Sequence, residues 1–203
     1  MAYFPFYIDI KDKKFLVVGG GKVALRKVEK LLQFEPKITV VAPFICDEIR
    51  KLGVSIIERK FIDSDIDDIF CAISATDDEV VNGHIFKLCS EKNILVNTVD
   101  DKDKCGFIFP ALVNKNGITA GITSSGKSPI YAKYIRERLE SLLDGNADIT
   151  ETLFKYRKRI KSEIKNEVDR KIVFERLLAL CLSRDEIDDN LVSKLIEEAN
   201  NEN

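Results

Sequence analysis

Gly19-x-Gly21-x-x-Ala24 stands directly after the apolar run Lys14-Phe15-Leu16-Val17-Val18 and before a stretch with apolar residues at Ala24, Val28, Leu31 and Leu32. No other feature restricts the fold as much. A buried strand must stop, turn sharply and become a helix. The first glycine permits the tight turn, and the second lets the backbone approach a pyrophosphate. The small third residue, here alanine, lets helix and strand pack closely. The helix N-terminus then presents unpaired N–H groups and a partial positive charge. The bare motif is weak, and the plain alternative is a ligand-free βα turn. The strand-turn-helix placement favours a dinucleotide fingerprint.

The rest of the first half repeats the alternation. Ile38-Thr39-Val40-Val41 reads as a second strand, stopped by Ala42-Pro43. Ile49 and Leu52 suit a short helix, and Val54 to Ile57 a third strand. Phe70 to Ala75 reads as a fourth strand. A helix from about Asp78 to Lys92 carries Val81, Ile85 and Leu88 on one face, and Ile94 to Val99 is a fifth strand. Continuously apolar strands separated by helices imply a parallel sheet covered on both faces. The expected fold class is α/β, a Rossmann-like doubly wound parallel sheet.

After residue 105 the pattern changes. Phe107 to Val113 and Ile118 to Thr123 are two β-rich runs joined by Asn114-Lys115-Asn116-Gly117, and Asn-Gly favours a hairpin. Thr123 to Pro129 is a polar loop, with Ser128 suited to cap the next helix and Pro129 to its first turn. From about Ile149 the chain reads as two to four helices, with Leu153, Ile160, Ile164, Phe174, Leu177, Leu178, Leu191 and Leu195 as core candidates. A small hairpin/helix region and a helical C-terminal domain thus follow the sheet. The hairpin is too apolar and short to stand alone, which points to a homodimer that covers its edges.

Composition narrows the function classes. Lys+Arg is 32 and Asp+Glu 34, a net charge of −2, so the chain is a poor candidate for gripping nucleic-acid phosphates. The basic run Lys155 to Lys161 accordingly reads as an exposed helix face. No apolar run approaches the ~20 residues of a membrane span, and Met1 to Pro5 lacks a signal-peptide pattern. The five cysteines form no C-x-x-C pair and read as small core residues of a cytoplasmic protein. The one histidine, His84, excludes a site of several imidazoles and is expected partly exposed and inert. No metal site is expected.

One element of the fingerprint is missing. An acid about 20 residues beyond the glycines normally binds the adenosine ribose. Here the second strand ends Val41-Ala42-Pro43-Phe44, with no acid and no arginine for a 2′-phosphate. Backbone groups of Ala42 to Phe44 are left to take that role, and NAD versus NADP stays open.

Phe15 to Ala24 with Arg26-Lys27, Ala75-Thr76-Asp77-Asp78, Val96 to Asp100, Phe107 to Ala111, and Ser124 to Pro129 followed by Arg136-Glu137 form an ordered set over roughly residues 1–145. As a set it resembles the dinucleotide-binding module of siroheme synthase, the precorrin-2 dehydrogenase / sirohydrochlorin ferrochelatase family. The methyltransferase domain of the fused enzymes has no counterpart in these 203 residues. The resemblance implies oxidation of precorrin-2 to sirohydrochlorin with NAD, and in some members insertion of Fe²⁺, with Co²⁺ left open. It implies a Rossmann domain (1–112), a dimerisation region (113–148) and a helical C-terminal domain (149–203).

The resemblance also assigns residues. Gly19, Gly20, Gly21, Lys22, Val23, Pro43, Phe44, Thr76 and Asp77 would bind the cofactor. Asp100 would be catalytic. It follows strand five at the carboxyl edge, where ligands of open sheets bind, and could take a proton there. On the residues alone, Asp100-Asp101 reads rather as an acidic turn. Desolvation beside Asp101 would raise the pKa of Asp100 toward the task of taking a proton. Ser124 and Lys127 would contact the tetrapyrrole, whose carboxylates Lys102, Lys104, Lys133 and Arg136 could also meet, although each of these cations alone reads rather as a solvated surface charge. Ser125 stands where the family pattern has the first of two glycines. The competing class is a non-catalytic NAD(H)-sensing module, which needs the glycine turn but neither Asp100 nor the Ser124 loop.

Overall fold

A computed structural model describes residues 3–99, 101–144, 149–183 and 187–201. The chain divides into two compact units, Phe4–Phe109 and a second one from Pro110 onward.

The first unit runs β1 (Lys14–Val18), α1 (Lys22–Leu32), β2 (Lys37–Val41), α2 (Asp47–Arg50), β3 (Ser55–Ile57), a 3-10 turn (Asp63–Ile66), β4 (Cys71–Ser74), α3 (Glu79–Glu91), β5 (Leu95–Thr98) and a 3-10 turn (Lys102–Lys104). All five strands are parallel, in the order β3-β2-β1-β4-β5. The expected doubly wound sheet is therefore present. Its strand order reverses between β1 and β4, so the loops after these two strands flank the crevice where such sheets bind ligands.

Alternate side chains of the strands enter two cores, because successive residues point to opposite faces. Phe15, Val17, Ile38, Val40 and Ile73 pack with Ala24, Val28 and Leu31 of α1 on one face. Leu16, Val18, Ala72 and Val96 pack with Ile85 and Cys89 of α3 on the other. On that second face, only the 3-10 turn with buried Ile66 connects β3 to β4. A groove of about 620 Å³ lies against β1, β2 and β3 there, and its lining includes no residue of the glycine turn. One detail differs from the sequence reading of α3. Its buried residues are Asn82, Ile85 and Cys89, rather than a face led by Val81 and Leu88. His84 is partly exposed, as expected, with Nε2 2.8 Å from a carboxylate oxygen of Asp63.

The second unit opens with an antiparallel hairpin, β6 (Ala111–Lys115) and β7 (Ile118–Ile122). Asn116 and Gly117 make its turn with φ of 48° and 72°, the double positive φ that an Asn-Gly hairpin uses. β6 starts four residues later than the apolar run suggested. Phe107 and Phe109 instead pack against the core of the first unit, and Lys27 sits over the Phe109 ring. For this aromatic pair, burial against a sheet outweighs strand propensity.

Helix α4 (Pro129–Leu142) packs on the hairpin. Ser128 caps it by accepting from Tyr131 N–H, and Pro129 occupies its first turn. Helices α5 (Ile149–Glu163), α6 (Glu167–Ser183) and α7 (Asp189–Asn201) share one apolar core. Ile160, Ile164, Leu177 and Leu195 are buried as expected, together with Tyr156, Val173, Cys181, Val192, Ile196 and Ala199. Leu178 is 39% exposed. Val173, Leu177 and Cys181 recur every fourth residue and take the inward stripe, and Leu178 lies one 100° step away from it. The Lys155–Lys161 stretch is an outward face of α5 apart from buried Tyr156 and Ile160. None of the described helices is long and apolar enough to cross a membrane.

Candidate dinucleotide site

The backbone packed against the turn requires glycine at its first two positions. Gly19 has φ of +124°, and a Cβ there would lie 2.2 Å from the Ala75 carbonyl oxygen. Gly20 leaves no room either: its Cβ would lie 2.0 Å from the Phe44 carbonyl oxygen and 2.7 Å from the Ile45 Cα. The backbone also fastens the turn. Gly19 N–H donates to Val41 O (3.0 Å), and Cys46 N–H donates to Gly20 O (2.9 Å). Gly21 differs from both, since a Cβ there would meet nothing within 4 Å.

Gly21 is the N-cap of α1, in extended conformation and with no side chain to cap the helix; the first turn holds no acid. An uncapped N-terminus facing open space fits a diphosphate, for which backbone N–H groups and the helix dipole supply the partner charge. Lys22 is exposed and Val23 half-buried beside it. Ala24 is fully buried against the sheet, as the fingerprint demands of its small third position.

Two neighbouring loops complete the rim. Pro43 and Phe44 follow β2; both are exposed, the Phe44 ring 74% so, while the Phe44 carbonyl presses on Gly20. Thr76 and Asp77 follow β4, with Asp77 exposed. The Thr76 hydroxyl is engaged within the protein, donating toward Asn82 Oδ1 (2.7 Å) or Asp78 O (3.1 Å). The fold thus brings Gly19 against Ala75 and Gly20 against Phe44 and Ile45. Asn82, which the sequence reading passed over, ties the Thr76 loop to α3. Its signal was a polar residue three and seven positions before buried Ile85 and Cys89.

Asp100 lies outside the described residues. Its neighbours are held firmly. Asn97 is buried and donates to Phe107 O (3.0 Å), and Gly106 N–H donates to Val96 O (2.8 Å). Asp101 caps the following 3-10 turn, accepting from Asp103 and Lys104 N–H, and pairs with Lys104 Nζ at 2.7 Å. The Lys104 ammonium holds the Asp101 carboxyl below the usual range. Lys104 thus has a carboxylate partner on the same 3-10 turn. Cys105 is half-buried, with Sγ 3.2 Å from Thr98 O and 3.1 Å from Asp101 O, and burial pushes its thiol pKa up. The Thr98 hydroxyl is buried with no hydrogen-bond partner among the described residues.

The serine loop belongs to the second unit. Ser124 Oγ accepts from Ser128 N–H (2.8 Å), and Lys127 N–H donates to Ser124 O (3.0 Å). Ser125 and Gly126 have φ of 53° and 79°. A serine therefore occupies the left-handed conformation at the position where the family pattern carries glycine. Lys127 projects as an exposed side chain. Arg136 is committed to Glu140 at 2.6 Å and to Glu137 at 3.2 Å, and Lys133 lies 3.7 Å from Glu137. Both are thus engaged with carboxylates of their own helix.

Fold and turn together define an α/β dinucleotide-binding protein. Residues 6–111, just over half of the chain, match a family model for NAD(P)-binding, and the chain belongs to this NAD(P)-binding family. Over 183 residues it is 38% identical to a siroheme synthase of Thioalkalivibrio sulfidiphilus, covering 88% of this chain and 37% of the relative. The siroheme synthase of Pseudoalteromonas translucida is 39% identical over 180 residues, 86% of this chain and 38% of the relative. The chain thus spans well under half the length of these relatives. A solved structure of "SirC, precorrin-2 dehydrogenase" shares the fold with a TM-score of 0.72 at 24% identity, covering 98% of this chain and 100% of that one.

Proposed function

We propose that the protein oxidises precorrin-2 to sirohydrochlorin with NAD, a step of siroheme biosynthesis in the cytoplasm. One observation carries this reading. The likeness to siroheme synthases extends over 88% of the chain, through the hairpin and into the C-terminal helices. A generic dinucleotide module would match over residues 6–111 alone.

Bound NAD supplies a two-electron acceptor. The chain's part is to hold it and to manage the proton. In this reading α1 and Gly21 hold the diphosphate, while Lys22, Val23, Pro43, Phe44, Thr76 and Asp77 frame the rest. Asp100 takes the proton that the substrate loses when its other hydrogen leaves as hydride with both electrons, so that NADH and H⁺ balance the reaction. Ser124 and Lys127 hold a carboxylate of the tetrapyrrole. The same Asp100 would receive pyrrole N–H protons if the protein also inserts Fe²⁺ or Co²⁺. The boundaries 1–112, 113–148 and 149–203 are retained as the proposed cofactor, dimerisation and C-terminal regions.

A homodimer belongs to this proposal. Among the described residues no further strand pairs with either edge of the two-stranded sheet, and Ile130, Tyr131 and Tyr134 of α4 are more than half exposed. A second copy of the hairpin and α4 would cover such edges.

Purified protein is mixed with precorrin-2 and NAD, and NADH and the sirohydrochlorin absorbance are followed together. Equal accumulation of both supports the proposal. Tight NADH binding without turnover would refute it in favour of a sensing module. Sirohydrochlorin supplied with Fe²⁺ or Co²⁺ tests metal insertion separately.

A further inference from the structure

We propose that Asn82 is a positioning residue for dinucleotide binding, its single carboxamide setting the loop against which the glycine turn leans. The inference rests on the reading that the cofactor's diphosphate lies at Gly21.

Asn82 sits on the inward face of α3 and is only 7% exposed. A buried amide is costly unless its hydrogen bonds are made. Here they are made to two residues at the end of β4. Oδ1 accepts from the Ser74 hydroxyl (2.6 Å) and the Thr76 hydroxyl (2.7 Å), and Nδ2 donates to the Thr76 carbonyl (3.0 Å). The carbonyl acceptor fixes which end of the amide faces which partner. The Thr76 hydroxyl also accepts from Asp78 N–H (3.2 Å), and Asp78 in turn caps α3 through Val80 and Val81 N–H. The path from β4 to the helix is therefore gathered onto one side chain.

Ala75 lies inside this path. Its N–H donates to Val18 O (2.8 Å), and its carbonyl stands 2.2 Å from the place a Gly19 Cβ would occupy. Loop and glycine turn are thus in backbone contact, with no side chain between them to absorb a shift. Releasing Thr76 lets Ala75 move, and Gly19 then loses the wall that sets the direction of α1. Helix stability alone gives no reason for this choice. A leucine at position 82 would extend the apolar stripe of Ile85 and Cys89 and has the higher helix propensity.

The test uses the full chain, with NADH affinity read by fluorescence titration and stability by thermal unfolding. The variants are Asn82→Ala, Ser74→Ala and, as a packing control, Ile85→Val on the same helix face. At a temperature where all are folded, Asn82→Ala weakens NADH binding about tenfold and Ser74→Ala about threefold, as expected from loss of buried hydrogen bonds that order the site. Ile85→Val lowers the melting temperature and leaves NADH affinity unchanged. Should Asn82→Ala bind NADH like the wild type, Asn82 is a satisfied core amide and the proposal is overturned. If Asn82→Ala does not fold, Ser74→Ala decides, and unchanged affinity there overturns it equally. Failure of the wild type itself to bind NADH would instead reject the glycine-turn reading, and this inference with it.

Discussion

The three glycines of the turn should separate under substitution, because their surroundings differ so sharply. Gly21→Asp puts a side chain where nothing lies within 4 Å, at an ordinary φ of −93°. It also gives α1 the N-cap it lacks. Asp in place of Gly at an N-cap is worth a few tenths of a kcal/mol, and a negative charge at a helix N-terminus about 0.3–1 kcal/mol. The ligand-free variant should therefore melt at the wild-type temperature or up to about 4 °C above it. Its NADH affinity should collapse. One charge-assisted hydrogen bond is worth about 1.5–3 kcal/mol, and the new carboxylate adds like-charge repulsion, so a loss of at least ~100-fold is expected.

Gly20→Ala should do the reverse of a pure binding mutation. Its Cβ would stand 2.0 Å from a backbone oxygen, so the Phe44-Ile45 segment must move, at roughly 1–3 kcal/mol. Gly19→Ala adds an unfavourable φ of +124° to a 2.2 Å clash, at a further ~1–3 kcal/mol. Thermal unfolding without ligand and NADH titration measure both quantities on each variant. The reasoning fails if Gly21→Asp binds NADH normally, or if it destabilises the protein as much as Gly20→Ala does.

Asp100→Asn should cut the precorrin-2 oxidation rate by ~10²–10⁴ with NADH affinity and melting temperature unchanged; a rate within about threefold of wild type would leave Asp100 a turn residue. Ser125→Gly should stabilise the protein by about 0.5 kcal/mol, since it relieves a left-handed serine at φ of 53°, and an unchanged or lower melting temperature would show that no strain is held there. Asp65 has a nearly buried side chain and accepts two parallel hydrogen bonds from Arg59, 2.6 and 2.7 Å, which hold its carboxyl below the usual range. Its contribution is complete above the unfolded pKa of ~3.9 and is lost as pH falls through the lower folded value, so the stability gap between wild type and Asp65→Asn should shrink on acidification below about pH 4. Light scattering at micromolar concentration should give the mass of a dimer, and a monomeric mass would contradict the proposed covering of the hairpin edges.

Much of the first unit was legible without coordinates, for a local reason. Apolar runs such as Phe15–Val18, a glycine turn, and helical spacing at Ala24, Val28 and Leu31 each encode their structure within a few residues. The Asn116-Gly117 turn and the Ser128-Pro129 helix start are equally local. Tertiary packing decided the rest. Gly20 is constrained by the backbone of Phe44 and Ile45, more than twenty residues away, and nothing near Gly20 announces it. Which neighbour of a helical pair turns inward is a matter of a 100° rotation set by the partner element. That rotation buried Asn82 while leaving Val81 half-exposed, and buried Leu177 while leaving Leu178 outside. The aromatic run at Phe107 has strand propensity, yet the chance to bury its rings against the sheet kept it out of β6. Pattern specifies elements because backbone periodicity is local, whereas the partners of a side chain are chosen only when distant segments compete for the same space.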